Sequence, residues 1–95
     1  MEFRIADTFY KALTKLSNEE MKAAKTTVFD LQADRSGNSL RLHKLDRAKD
    51  KRFWSVSVNM DIRIIVHKDG ESLLLCYVDH HDAAYKWAQN RRLEV

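Results

Sequence analysis

Two side chains in the second half of the chain are of types that could do chemistry, Arg63 as a cation for phosphate and His80 as a proton carrier, and Tyr85 lies close behind them. Arg63 interrupts a β-branched run, Ile62-Arg63-Ile64-Ile65-Val66. A guanidinium there offers a planar fork of donors that stays charged at every relevant pH. Its local alternative is a packed stem whose head pairs with Asp61, Asp79 or Glu71. His80 carries an imidazole suited to moving a proton near neutrality. Tyr85 follows five residues later, on the first turn of a helix, where a core aromatic is the competing role. Around them the segment 41–52 carries six Lys/Arg against two Asp, a local +4 in a chain of net charge +3. Its Lys44, Arg47, Lys51 and Arg52 suit contacts to a polyanion, or else form a solvated face. Lys86, Arg91 and Arg92 make a second basic cluster. His80 and His81 are adjacent and do not converge as two histidines one helical turn apart would. With one cysteine and neither HExxH nor CxxC, no metal centre or other cofactor is expected. Cys76 lies inside the apolar run Leu73–Val78 and reads as a small buried hydrophobe.

The elements that position these groups are legible in outline. Phe53-Trp54-Ser55-Val56-Ser57-Val58 alternates as a half-buried strand, and two further strands follow around Lys68-Asp69-Gly70-Glu71, a hairpin signal. Phe3 and Ile5 flank Arg4 as in a short first strand. Asp7 is the expected N-cap of a helix with Phe9, Ala12, Leu13 and Leu16 on one side. Ser17-Asn18-Glu19-Glu20 matches a capping box and opens a second helix striped by Met21, Ala24, Val28 and Leu31. Residues 34–39 are turn formers, and Leu40, Leu42 and Leu45 are expected to pin the basic segment as a loop. A last helix carries Ala84, Tyr85, Trp87 and Ala88. The expected order is β-α-α-β-β-β-α: an α+β fold, a mainly antiparallel twisted sheet with the N-terminal α-hairpin on one face. If Asp69-Gly70 is the two-residue hairpin loop, Arg63 pairs with Cys76 and Ile65 with Leu74. Arg63, Ile65, His67, Leu74, Cys76, Val78 and His80 then share the open face. Ile62, Ile64, Val66, Leu73, Leu75 and Tyr77 lie under the α-hairpin.

Ninety-five residues suit one domain, 1–95, and 44% hydrophobic with 33% charged residues is ordinary for a soluble protein. No apolar run approaches the roughly 20 residues that span a bilayer, and no secretory signal is visible, so a cytoplasmic protein without a membrane partner is expected.

The segment 42–79 resembles the C-terminal half of the RelE/ParE toxin superfamily. The matching pieces are Leu45, Phe53-Trp54-Ser55-Val56-Ser57-Val58, Asp61-Ile62-Arg63-Ile64-Ile65 and Asp79-His80-His81-Asp82-Ala83-Ala84-Tyr85. The resemblance implies a RelE-like toxin of a bacterial toxin–antitoxin system: a metal-independent endoribonuclease that cuts mRNA on the ribosome by 2′-hydroxyl attack, partnered by a cognate antitoxin. It implies that Arg63 stabilises the phosphate charge and that His80 and Tyr85 transfer protons or orient the nucleotide. Lys44, Arg47, Lys51, Arg52 and His81 would hold the RNA, with one lysine as a further candidate base. The segment from His80 to Arg92, with Ile62–Gly70, is also similar to the RelE-like module at the N-terminus of some UvrD-type DNA helicases. That alternative is a non-catalytic module that binds DNA, other nucleic acid or protein, or a fused helicase domain. A ParE-like poison of DNA gyrase is a third reading, disfavoured by the retained Arg63, His80 and Tyr85.

Overall fold

Four β-branched or apolar segments pair because each has an apolar face to bury, and a parallel N-terminal strand completes the sheet. The computed structural model describes residues 2–33 and 42–91. Its elements are β1 (Glu2–Ile5), α1 (Asp7–Leu13), α2 (Asn18–Ala33), β2 (Leu42–Lys44), β3 (Phe53–Ser57), β4 (Ile62–Asp69), β5 (Ser72–His80) and α3 (His81–Gln89). The sheet order is β1-β5-β4-β3-β2; β1 runs parallel to β5 and the other neighbours are antiparallel. The α+β architecture is as expected, with one strand more. Part of the basic segment is β2 rather than loop, with Leu42, His43 and Lys44 paired to Val56, Ser55 and Trp54. The turn expected at 34–39, and Leu40, Arg41 and Arg92, lie outside the described residues.

The α-hairpin covers the first face. Phe9, Ala12 and Leu13 of α1 and Ala24 and Leu31 of α2 pack on Val56, Ile62, Ile64, Val66, Leu73, Leu75 and Val78. Each Val, Leu, Ile or Phe side chain among them contributes about 1.5–3 kcal/mol by leaving water. The capping box forms: Ser17 N–H donates to Glu20 Oε1 at 2.9 Å and Glu20 N–H to Ser17 Oγ at 3.2 Å. Asp7 is not the cap of α1. Ala6 holds that position without a side-chain cap, and Asp7 sits in the first turn, where its charge complements the helix dipole. The second face carries another core, in which Ala84 and Ala88 of α3 meet Leu45, Ala48, Phe53, Ile65 and Cys76.

The β4–β5 hairpin departs from the expected register in two steps. Asp69 pairs with Ser72, so Gly70-Glu71 is the loop. Gly70 has φ +60° and no other residue has positive φ among the described residues, the φ pattern of a type II′ turn rather than I′. That two-residue slide preserves the faces. A β-bulge between Ile65 and Val66 then leaves Cys76 unpaired, because Ile65 meets Tyr77 while Val66 meets Leu75. The bulged backbone is satisfied by α1, where Thr8 Oγ1 donates to Cys76 O. One extra residue exchanges the faces of everything beyond it. Val78 therefore joins the core beneath the α-hairpin, Tyr77 packs with Trp87 on the other side, and Arg63 pairs with Asp79 instead of Cys76.

Candidate functional site

The face bearing Arg63 is built from cross-strand rows. His43 pairs with Ser55 and Ser55 with Ile65, while Ser57 pairs with Arg63 and Arg63 with Asp79. Directly paired residues share a face, so His43, Ser55, Ser57, Arg63 and Asp79 emerge on one surface. α3 follows β5 at once and lays its first turns over this surface. Tyr85 reaches Ser55, with Oη 3.1 Å from Oγ, and Ser55 is fully buried. His81, one turn earlier on α3, rests against the Tyr85 ring at 4.3 Å between centroids, and its Nδ1 is 2.9 Å from Asp82 Oδ1. By strand spacing and rise, the His43 and Arg63 backbones are roughly 12 Å apart, enough to seat a phosphodiester between their side chains. Beside them, Lys44, Leu45, Asp46, Arg47, Ala48, Tyr85 and Gln89 line an open groove of about 450 Å³.

Arg63 is half-buried and held by backbone oxygens. Its Nη1 donates to Asn59 O at 2.6 Å and to Ile62 O at 3.1 Å, and Nη2 donates to Met60 O at 3.4 Å. Among the described residues no carboxylate lies within ion-pairing distance of it. Of the carboxylates the sequence offered as partners, Asp79 and Asp61 make their hydrogen bonds elsewhere, while the Arg63 charge still helps lower the Asp61 pKa. Asp79 accepts from Tyr77 Oη at 3.0 Å and from His80 N–H at 2.7 Å, and burial together with that bond pushes the Tyr77 phenol up. Asp61 accepts from His80 Nδ1 and lies in the field of the His81 N–H.

His80 does not share the Arg63 face. The bulge sets it opposite Ile62, on the side of the α-hairpin, where Nε2 is 3.7 Å from Glu20 Oε2. Its hydrogen bond to Asp61, with the charges of Asp61, Glu20 and Asp79, raises its pKa above the ordinary 6.5. The same bond lowers that of Asp61.

The basic candidates separate as well. Arg52 is committed: Nε and Nη2 each donate to Asp50 at 3.0 Å, and Nη1 reaches Asp69 at 3.4 Å. Donating these hydrogen bonds to Asp50 raises the Arg52 pKa further. Asp50, buried, also meets the buried His67 at 3.1 Å, so this cluster ties residues 46–52 to the sheet. Lys51 Nζ donates to Asp46 O. Lys44 borders the groove, but its pairing with Trp54 sends its side chain toward the α-hairpin face. Arg47 is exposed on the groove wall. Burial, then the Asp50 charge, pushes the Cys76 thiol up to about 12, in keeping with a hydrophobe. Among the described residues no group of three or more His, Cys, Asp or Glu could hold a metal ion, and no helix is long and apolar enough to cross a membrane.

His43 is the residue that the sequence reading missed. A three-residue edge strand, Leu42-His43-Lys44, gives too short a pattern to have marked it.

No family model and no curated protein sequence matches the chain. Solved structures do. The toxin–antitoxin complex RelBE2 of Mycobacterium tuberculosis aligns at 24% identity and TM-score 0.65, over 84% of this chain and 96% of the matched one. The RelB–RelE antitoxin–toxin complex of Methanococcus jannaschii aligns at 21% identity and TM-score 0.65, over 92% and 98%. YafQ of E. coli BL21(DE3) aligns at 15% identity and TM-score 0.69, over 86% and 94%. These neighbours give no support to the helicase-module alternative. Over most of its length the chain has the RelE-like fold.

Proposed function

We propose that the chain is the toxin of a toxin–antitoxin pair and that it cleaves RNA through attack of the RNA's own 2′-hydroxyl. The observation that carries this is a single surface presenting a guanidinium held by main-chain oxygens, with no carboxylate at ion-pairing distance among the described residues, beside an imidazole and a phenol: Arg63, His43 and Tyr85. In this reaction the 2′-oxygen bonds to phosphorus and the 5′-oxygen leaves. One fragment ends in a 2′,3′-cyclic phosphate and the other in a 5′-hydroxyl. A base must take the 2′ proton, a cation must meet the charge on the pentavalent phosphorane, and an acid must protonate the leaving oxygen. Arg63 supplies the cation, and His43 and Tyr85 supply the proton carriers, with Ser55 orienting the Tyr85 hydroxyl. His81 stacks beside Tyr85, and Arg47 holds the RNA backbone along the groove. The substrate is mRNA on the ribosome, and the site of action is the cytoplasm. An antitoxin partner is supported by the neighbours solved as toxin–antitoxin complexes.

The test is expression in bacteria with mapping of new 5′-hydroxyl ends in mRNA. Wild type arrests growth and generates such ends, and Arg63→Ala abolishes both. Growth without arrest and uncut ribosome-bound mRNA refute the reading.

A further inference from the structure

Arg63 is the one charged side chain near the middle of the sheet whose head is set by main-chain oxygens alone among the described contacts. Those oxygens belong to the loop between β3 and β4 and to the residue before Arg63. The loop is itself built for rigidity. Asn59 Oδ1 accepts from Asp61 N–H at 2.8 Å and from Ile62 N–H at 2.7 Å, while Val58 N–H closes onto Ile62 O at 3.0 Å. An asparagine that satisfies two following amides fixes the loop without glycine or proline. The loop is also braced from outside, because Asp61 is tied to His80 at the end of β5 and His80 faces Glu20 at the start of α2.

Counting donors shows what this arrangement leaves. A guanidinium has five N–H groups. Both on Nη1 and one on Nη2 are used, which leaves Nε–H and one Nη2–H. Those two nitrogens form one lateral edge of the plane, the edge that takes two oxygens of a single phosphate. An arginine otherwise loses considerable rotamer freedom on binding; here the loop has removed it in advance.

We propose that the loop Asn59–Asp61 is the positioning device for Arg63, with Asn59 as the positioning residue: it holds the loop carbonyls that orient the guanidinium and leave its lateral edge for a phosphate. The inference rests on the nuclease reading for its purpose but not for its test. In protein labelled with ¹⁵N-arginine, the wild type shows separate, slowly rotating Nη signals for Arg63. Asn59→Ala speeds that rotation about tenfold, the weight of one hydrogen bond. Asn59→Ser, which keeps a side-chain acceptor, restores most of it. Amide spectra show that each variant remains folded. Where RNA is cleaved, Asn59→Ala lowers kcat about ten- to a hundredfold with KM nearly unchanged, as misplacement rather than loss of a binding group requires. Arg63 signals already averaged in the wild type, or unchanged in folded Asn59→Ala, overturn the proposal. A wild type that cleaves no RNA refutes the nuclease reading instead and leaves the arginine signals to decide the role of the loop.

Discussion

Replacing Asp50 by alanine should be among the most destabilising single changes in this protein. The Asp50 carboxylate is 4% exposed and accepts from Arg52 N–H, Nε and Nη2, each at 3.0 Å, and lies 3.1 Å from His67 Nε2. Truncation strands the His67 ring, itself 3% exposed, at a cost of about 1–3 kcal/mol. Arg52 is 42% exposed, so water takes over much of its bonding and its loss adds little. With the lost bond to the Arg52 amide the sum is about 3 kcal/mol, at the lower end for breaking a buried pair. For a domain of this size that lowers Tm by roughly 12–24 °C. Urea denaturation gives the free energy directly. Asp50→Asn keeps an acceptor and should lose about half as much. His67→Phe removes the stranded group and can keep the edge-on contact with Phe53, now 5.1 Å between centroids. The double variant Asp50→Ala/His67→Phe should therefore be more stable than Asp50→Ala alone. If Asp50→Ala costs under about 0.5 kcal/mol, or if His67→Phe adds a further loss on top of it, the network does not hold residues 46–52 to the sheet.

Three other outcomes follow from single sites. Gly70 adopts φ +60° with open space around the position of a Cβ, so Gly70→Ala should cost about 1 kcal/mol from backbone strain alone and Gly70→Asn less, by thermal melts. Cys76 should resist iodoacetamide at pH 8 in the native state and react on unfolding, since its thiol is buried with a pKa of about 12; rapid native alkylation would contradict this. The His80–Asp61 pair should make stability depend on pH. The raised His80 value contributes stability fully below 6.5 and loses it as pH rises through the folded pKa. The lowered Asp61 value contributes above 3.8 and loses it as pH falls through its folded pKa. The difference in stability between wild type and His80→Ala, with Glu20 and Asp79 as the other facing charges, should thus be largest near pH 5–6 and shrink toward pH 8.5; a flat difference would contradict the pairing.

The fold was legible because its periodic segments are unambiguous. The alternation in β3, the capping box at Ser17 and the helical stripes each point to one local structure, and together they place the α-hairpin on Ile62, Ile64 and Val66. What the sequence concealed was one residue. Nothing in Leu74-Leu75-Cys76-Tyr77 announces that Cys76 will bulge, because the bulge is set by packing at a distance: Thr8 on α1 donates to its carbonyl. That residue moves His80 away from Arg63 and puts Tyr77 beside Trp87. The turn erred by two, which even parity forgives. Tyr85 was placed on the correct element, while its partner Ser55 looked like an ordinary outward serine until α3 closed over it. His43 escaped because a three-residue edge strand carries too little pattern to separate from a loop. Arg63 was recognised as anomalous by type, but the carboxylates nearest in sequence proved to be bound by Tyr77 and His80, and main-chain oxygens took their place.

The claim that one surface of the sheet performs the chemistry is tested most directly by His43, which no sequence motif singled out. The measurement is the single-turnover rate of mRNA cleavage on programmed ribosomes by the wild type and by His43→Ala, with folding of the variant verified by its melt. His43 lies on the edge strand β2, paired with Ser55 of β3, and is exposed, so its loss should leave stability nearly intact. The account predicts a rate lowered by about 10²–10⁴, the usual worth of a positioned acid or base. A His43→Ala rate within twofold of the wild type would contradict it.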